Sequence, residues 1–329
     1  MTDKYDSLEV QNPLLLVGIG GVGAKLAVAS NNNLECNCLL ISNDKRDLSV
    51  NNKYDSIFIN SQPWLNPSSH KIRSLGILSE TKIRSCLDAH STIMLVANLA
   101  GRCGTAIAPL ISKMAKENAS RKVISFAIMP FRFEKDRIFQ AGVSLRRLRE
   151  SSDATVVIDN DALLNNNPSL SIQECYDITN NALHEVISSI SSTHIQNSTS
   201  LLCTGRPDSK SVEAHVKDCL AMLYENSDTS AIRMATLYLM GGTALSVGTV
   251  NSIANTLREI FKQQEVIDVS IVMPNSQSLK VHLLAAVHEK TRFDNYDPLA
   301  EVIPRENILD WEEMESSPGI EITIPNNLE

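Results

Sequence analysis

Gly18-Ile19-Gly20-Gly21-Val22-Gly23 closes a short apolar run, Leu14-Leu15-Leu16-Val17, and an alanine-rich stretch, Ala24 to Ser30, follows it. A strand, a tight glycine turn and a helix in that order bring backbone N–H groups and a helix N-terminus against phosphate oxygens. A second glycine-bearing stretch runs from residue 97 to 109, Ala-Asn-Leu-Ala-Gly-Arg-Cys-Gly-Thr-Ala-Ile-Ala-Pro. Gly101, Gly104 and Thr105 have the types that line a phosphate, while Arg102 and Cys103 interrupt them. Farther on stand Glu134 and Arg137, then Asn160 and Asn181. Each has a plain alternative: the charged pair as surface residues, the asparagines as turn or cap residues, and Thr105 as a helix cap. A Gly-x-Gly-Gly-x-Gly turn alone also serves dinucleotide-binding and adenylating folds, or no ligand at all.

The elements that would position these residues alternate. Cys38-Leu39-Leu40-Ile41, Ile57-Phe58-Ile59, Ile93 to Ala97 and Val123 to Ile128 read as buried strands. The stretch from Ile107 to Glu117 has helical spacing. Such alternation predicts a mostly parallel sheet covered on both faces. Residues 172 to 191 form a longer helix, with Ile178, Leu183, Val186, Ile187 and Ile190 along one stripe. Beyond a polar break, strands at 200–204, 235–240, 266–273 and 279–287 and helices at 212–224 and 247–261 make a second unit.

The chain has 329 residues, 43% hydrophobic and 21% charged, enough for two cores. No apolar run is long enough to span a bilayer, and the first residues are polar, so a cytoplasmic protein without membrane insertion is expected. The seven cysteines include no Cys-x-x-Cys pair, which favours reduced thiols over a zinc site. Ten carboxylates against one base, Arg305, lie between residues 294 and 329, so most of the net charge of −8 sits there. A nearly neutral body argues against nucleic-acid binding, and the acidic segment reads as a solvated tail.

The ordered series of motifs resembles the FtsZ/tubulin superfamily, whose phosphate loop reads Gly-Gly-Gly-Thr-Gly-Thr-Gly followed by Ala-Pro. Met129-Pro130-Phe131-Arg132-Phe133-Glu134-Lys135-Asp136-Arg137 is similar to the family's Pro-Phe-x-Phe-Glu-Gly-x-x-Arg. Val156 to Leu164 resembles Ile-Pro-Asn-Asp-x-Leu-Leu, and Thr179-Asn180-Asn181-Ala182-Leu183 resembles the head of the family's central helix. Met240-Gly241-Gly242 and Ile253 to Ile260 look like segments of its second domain. The resemblance implies an α/β, FtsZ/tubulin-like fold: a parallel-sheet nucleotide-binding domain (1–171) and a central helix with a shortened connecting loop (172–198). A smaller α+β domain (199–290) and an acidic C-terminal tail (291–329) would complete it.

By the same resemblance Gly20, Gly21 and Gly23 would approach the diphosphate, and Gly101, Gly104 and Thr105 would contact the β- and γ-phosphates. Glu134 and Arg137 would sit at the ribose and phosphates, Asn160 at the ribose or base, and Asn181 at the guanine edge. The implied cofactor is GTP or GDP, with Mg2+ as a companion ion, and no catalytic residue or protein metal ligand is assigned.

Two departures from the family shape the functional reading. Arg102 and Cys103 replace glycines. In a left-handed conformation Arg102 would be strained by about 1–2 kcal/mol, and its guanidinium would serve either as a phosphate ligand or as a plug. The family's acidic loop after the central helix, which polarises water in a neighbour's site, is shorter here by about fifteen residues. Ser192-Thr193-His194-Ile195-Gln196-Asn197-Ser198 contains no carboxylate. The expected function is therefore a guanine-nucleotide-binding regulator or scaffold of cytoskeletal or division type, with weak or absent hydrolysis and self-association or an FtsZ-like partner. The alternatives are an active polymerising GTPase, a nucleotide-free module docking a protein partner through the tail with Trp311, and, most distantly, a Rossmann oxidoreductase.

Overall fold

The computed structural model describes residues 7–49, 53–62, 64, 66–190, 195–206, 211–240, 246–261, 266–272 and 279–298. His194, Gly241, Gly242 and Trp311, named above, lie outside them. The first half contains β1 (Ser7–Leu8), β2 (Leu14–Ile19), α1 (Gly20–Leu34), β3 (Asn37–Ser42), α2 (Lys45–Leu48), β4 (Asp55–Phe58), α3 (Ser69–Ile77) and α4 (Glu80–Leu87). It continues through β5 (Thr92–Asn98), α5 (Arg102–Lys116), β6 (Lys122–Met129), α6 (Lys135–Ser151), β7 (Ala154–Asp159) and α7 (Asn160–Asn166). Then come α8 (Ile172–Ser189), β8 (Ile195–Gln196), β9 (Thr199–Thr204), α9 (Val212–Asn226), β10 (Ile232–Met240), α10 (Val247–Ile260), β11 (Val266–Val272) and β12 (Lys280–Val287).

The central strands read as unbroken apolar runs because both faces of the sheet are covered. In β2, Leu15, Val17 and Ile19 point into the layer holding α3, α5 and α6, while Leu14 and Leu16 point toward α1 and α8. Gly18, on the α1 side, lies where a Cβ would strike the carbonyl of Gly23 at 2.6 Å, so α1 can lie directly on the strand. Ser171 and Glu174 form a reciprocal capping box that starts α8. Ala182, Leu183, Val186 and Ile187 bury one stripe of that helix.

The main sheet runs β11-β10-β12-β9-β7-β6-β5-β2-β3-β4. β9 pairs in parallel with β7, so the strands of the second unit extend the first unit's sheet. Among the described strands of this sheet only β12 runs against the rest.

The second glycine stretch is less of a loop than its sequence suggests. α5 begins at Arg102, five residues before the helical spacing becomes legible, and takes in Gly104, Thr105 and Pro109. Proline inside a helix leaves the carbonyl one turn back without its donor. Here Ser144 of α6 supplies one, donating its hydroxyl to the Thr105 carbonyl at 2.6 Å.

The expected tail also starts later than residue 291. Residues Arg292–Tyr296 form a 3-10 turn held by a Thr291–Asp294 capping box, with Phe293 in the main core. Arg292 reaches Asp159 at 2.6 Å, Arg149 reaches Asp294 at 2.7 Å and Arg146 reaches Asp297 at 3.1 Å. Two of the carboxylates read as solvated are thus paired with cations of α6. Composition could not separate them from the acidic residues beyond Pro298, which lie outside the described residues.

Candidate functional site

From β2 the chain moves outward to β3 and β4, then crosses back to β5 on the other side of β2. In an open parallel sheet such a reversal leaves a crevice beyond the carboxyl ends of the two inner strands, where ligands bind. Gly20 follows β2 and Gly101 follows β5, so the topology sets the two glycine segments side by side. They meet: a Cβ on Gly20 would lie 3.5 Å from Cys103 Cβ and 4.0 Å from Gly104 N. Gly20 has φ +69°, a conformation that a side chain would strain.

The other glycines divide by what surrounds them. A Cβ on Gly21 would stand 2.7 Å from Asp47 Oδ1, inside the crevice. Gly23 and Gly104 have packing reasons of their own, because a Cβ would meet Val96 O at 2.3 Å and Asn98 O at 2.1 Å respectively. Gly101 is the N-cap of α5 with no side-chain cap bond.

Arg102, first residue of that helix, is exposed and helical, so the strain considered for it is absent. Cys103 is 7% exposed and packs against Gly20; its thiol is pushed up to about 11 by burial and stays neutral beside Gly20, Ser42 and Asn43.

Residues 14–168 match the GTPase domain of the Tubulin/FtsZ family. FtsZ of M. jannaschii, solved as an empty dimer, superposes with a TM-score of 0.68 at 17% identity, covering 84% of this chain and 88% of that one. Residues 14–168 thus carry a GTPase domain of the Tubulin/FtsZ family type, and the chain has the FtsZ/tubulin-like fold. CetZ2 from Haloferax volcanii, solved as a GTPγS-bound protofilament, gives a TM-score of 0.65 at 18% identity over 88% of this chain and 97% of that one. In sequence, cell division protein FtsZ 2 of Halobacterium salinarum is 31% identical over 119 residues, 36% of this chain and 30% of the relative. The matched stretch thus spans less than a third of that curated relative's length.

Within this superfamily fold the remaining candidates are not all gathered at the crevice. Thr105 Oγ1 donates back to the carbonyl of Gly101 at 3.1 Å and lies 3.0 Å from Ser69 Oγ, which donates to Gln140 at 3.0 Å. Its hydroxyl therefore joins α5, α3 and α6. Glu134 accepts from Phe131 N at 3.1 Å and from Arg137 at 2.8 Å, leaving the Arg137 side chain 57% exposed.

Asn160 is turned inward: its amide donates to Met129 O at 3.4 Å and accepts from Thr179 at 2.7 Å. Asn181 is exposed on α8, at the rim of a cavity of about 50 Å3 shared with Glu185, Thr204, Lys280 and His282. The structure brings Gly20 against Cys103 and Gly104 and sets Gly21 beside Asp47. It leaves Asn160 in the interior.

Asp47, which stands beside Gly21, is a residue that sequence reasoning did not single out. It sits in the run Ser42-Asn43-Asp44-Lys45-Arg46-Asp47, where no periodicity marks which carboxylate turns inward. Asp44 instead caps the short helix α2. Among the described residues no group of three His, Cys, Asp or Glu side chains could hold a metal ion, and no helix is long and apolar enough to cross a membrane.

Proposed function

We propose that this chain binds guanine nucleotide at the β2/β5 crevice and hydrolyses GTP slowly or not at all. It would serve as a cytoplasmic regulator or scaffold of a cytoskeletal or division process. The observation that carries the binding half is the meeting of the Gly20 and Cys103–Gly104 segments at the sheet's reversal. The GTPγS in the CetZ2 structure supports a guanine nucleotide as the ligand.

The hydrolysis half rests on the connection after α8. That helix ends at Ser189, β8 pairs with β1 through Leu8↔Ile195, and β9 starts at Thr199. From Ser188 to Ser200 the chain carries no carboxylate. A segment tied into a two-strand ladder and lacking an acid has no group to orient an attacking water by the family's means.

Calorimetry of the full chain with GTP, GDP and ATP tests binding, and guanine nucleotides are expected to bind in preference to ATP. Phosphate release measured across protein concentration tests hydrolysis, and a low rate without a threshold is expected. Release that climbs steeply above a critical concentration would favour the polymerising GTPase instead.

A further inference from the structure

β11 is the last strand of the main sheet, and no described strand pairs with its outer side. Its inner side is paired without a break, from Met234↔Val266 to Met240↔Val272. Successive residues of a strand turn their N–H and C=O groups to alternate sides, so about half of this strand's backbone groups point away from β10. An open edge is a template for another strand, and proteins guard it with lysine, proline, a bulge or brevity. At the far end of the sheet β4 is guarded in this way, with four residues that open on Asp55 close behind Lys53. β11 carries none of these devices. Val266-Ile267-Asp268-Val269-Ser270-Ile271-Val272 has seven residues, a single charge, no proline and no lysine.

The same chain holds a segment that matches such an edge. Ile320-Glu321-Ile322-Thr323-Ile324 alternates apolar and polar residues, four of the five β-branched, between Pro318-Gly319 and Pro325. Five residues make a strand of ordinary length. The described chain leaves the body over α6, where Asp297 pairs with Arg146 at 3.1 Å, shortly after Arg292 reaches Asp159 at the end of β7. From β7 the order β9, β12, β10, β11 sets the open edge four strand spacings away, about 20 Å. Residues 299–319 lie between, and fully extended they span about 70 Å. Their charge favours an open linker over a collapsed one. A tether of this length holds its end at an effective concentration near millimolar, far above that of a second copy in dilute solution.

We infer that residues 320–324 of the chain's own C-terminal segment add as a strand to the outer edge of β11, capping the sheet and closing it to a strand from another copy. The inference is independent of the nucleotide site. Main-chain hydrogen bonds supply the attraction. The alternation fixes the register, because a slip of one residue would exchange the isoleucines with Glu321 and Thr323. Each bond is offset by the ordering of the residue that forms it, so the cap shields β11 locally and moves the global melt little.

The test is residue-resolved amide hydrogen exchange on the full chain, with two variants. Ile322→Pro removes a donor in the middle of the added strand, and Ile322→Val keeps it. In the parent, the amides of residues 266–272 are expected to be protected on both sides of the strand. In Ile322→Pro the alternate amides of the outer side should exchange at least about tenfold faster, while those facing β10 keep their rates and show that the sheet is intact. Ile322→Val should follow the parent, and dilution of the parent should change nothing. Equal exchange in the parent and Ile322→Pro would overturn the cap. Protection of the outer amides that falls on dilution would overturn it as well, because the occupant would then be a second copy.

Discussion

A methyl group added at Gly104 would place its carbon 2.1 Å from the carbonyl oxygen of Asn98 and 2.9 Å from the carbonyl carbon, both backbone atoms that cannot swing aside. Glycine to alanine inside a helix ordinarily gains about 0.5–1 kcal/mol. Overpacking of this kind costs about 1–3 kcal/mol. Gly104→Ala is therefore expected to lower stability by about 2 kcal/mol, read as a fall in the urea midpoint, before any ligand is added. Arg102 should behave in the opposite way. It is exposed at the first position of α5, so Arg102→Ala should change stability by no more than about 0.5 kcal/mol. If its guanidinium reaches a bound phosphate, as its place beside the crevice suggests, the same change weakens guanine-nucleotide binding by roughly 1–3 kcal/mol. Unchanged calorimetric affinity would leave Arg102 as a surface charge. At this scale the sequence was legible in residue type and not in direction. The motif series singled out Gly104 and Asn160 as nucleotide-site candidates, but whether a backbone approaches a neighbour or a ligand depends on contacts between segments far apart in the chain.

The elements were more legible, because burial on both faces writes itself as apolar runs. The strands at β2, β3, β5 and β6 and the stripe of α8 follow directly from such runs. The start of α5 did not, since Arg102 to Thr105 follows a glycine and contains another, a poor helix former, and is supported there by bonds from α6 and α3. Nor could spacing show that α8 is tied to the second unit through a buried polar chain. Glu185 binds both Lys280 and His282, the latter at 2.7 Å, and His282 lies 2.9 Å from Thr204 Oγ1. Burial pushes the Glu185 carboxyl up, but the bonds from His282 and Lys280 outweigh it and hold the group below its ordinary range. Burial, opposed by the Glu185 charge and aided by that of Lys280, pushes His184, beside Ser30 of α1, down from its ordinary value. Both groups bind protons less readily when folded than when unfolded, so both contribute stability that is present at neutral pH and lost on acidification. His184 should act first, below about 6.5, and Glu185 below about 4.3. Melting temperature is expected to fall in two stages from pH 7.5 to 3.5. His184→Gln should flatten the first stage and Glu185→Gln the second, and a profile untouched by both would assign the acid sensitivity elsewhere.

Over the whole molecule, one sheet carries both units, and the chain returns after β12 to fasten itself to the first of them. The fastening is the turn Arg292–Tyr296. Phe293 is 1% exposed, Tyr296 packs where a Cβ on Gly142 would meet it at 2.7 Å, and Arg292 enters the interior to reach Asp159. Burial pushes the Asp159 carboxyl up, with the Arg292 guanidinium opposing that rise. Removing one partner of a buried ion pair leaves the other charge without compensation, a loss of about 3–5 kcal/mol. Burial of a phenylalanine adds about 1.5–3 kcal/mol. Two truncations should therefore part company. A chain ending at Pro298 keeps every one of these contacts, sheds eight of the ten carboxylates of residues 294–329, and should melt within a degree or two of the full chain, the shift expected of a change well under 1 kcal/mol. A chain ending at Lys290 loses them all and is expected to be unfolded or strongly destabilised at room temperature, since the combined loss rivals the whole stability of an ordinary domain. Asp159→Asn in the shorter chain, which removes the orphaned charge, should recover part of the deficit. Equal melting of the two truncations would mean that the return segment does not hold the units together, and that the sheet and α8 suffice without it.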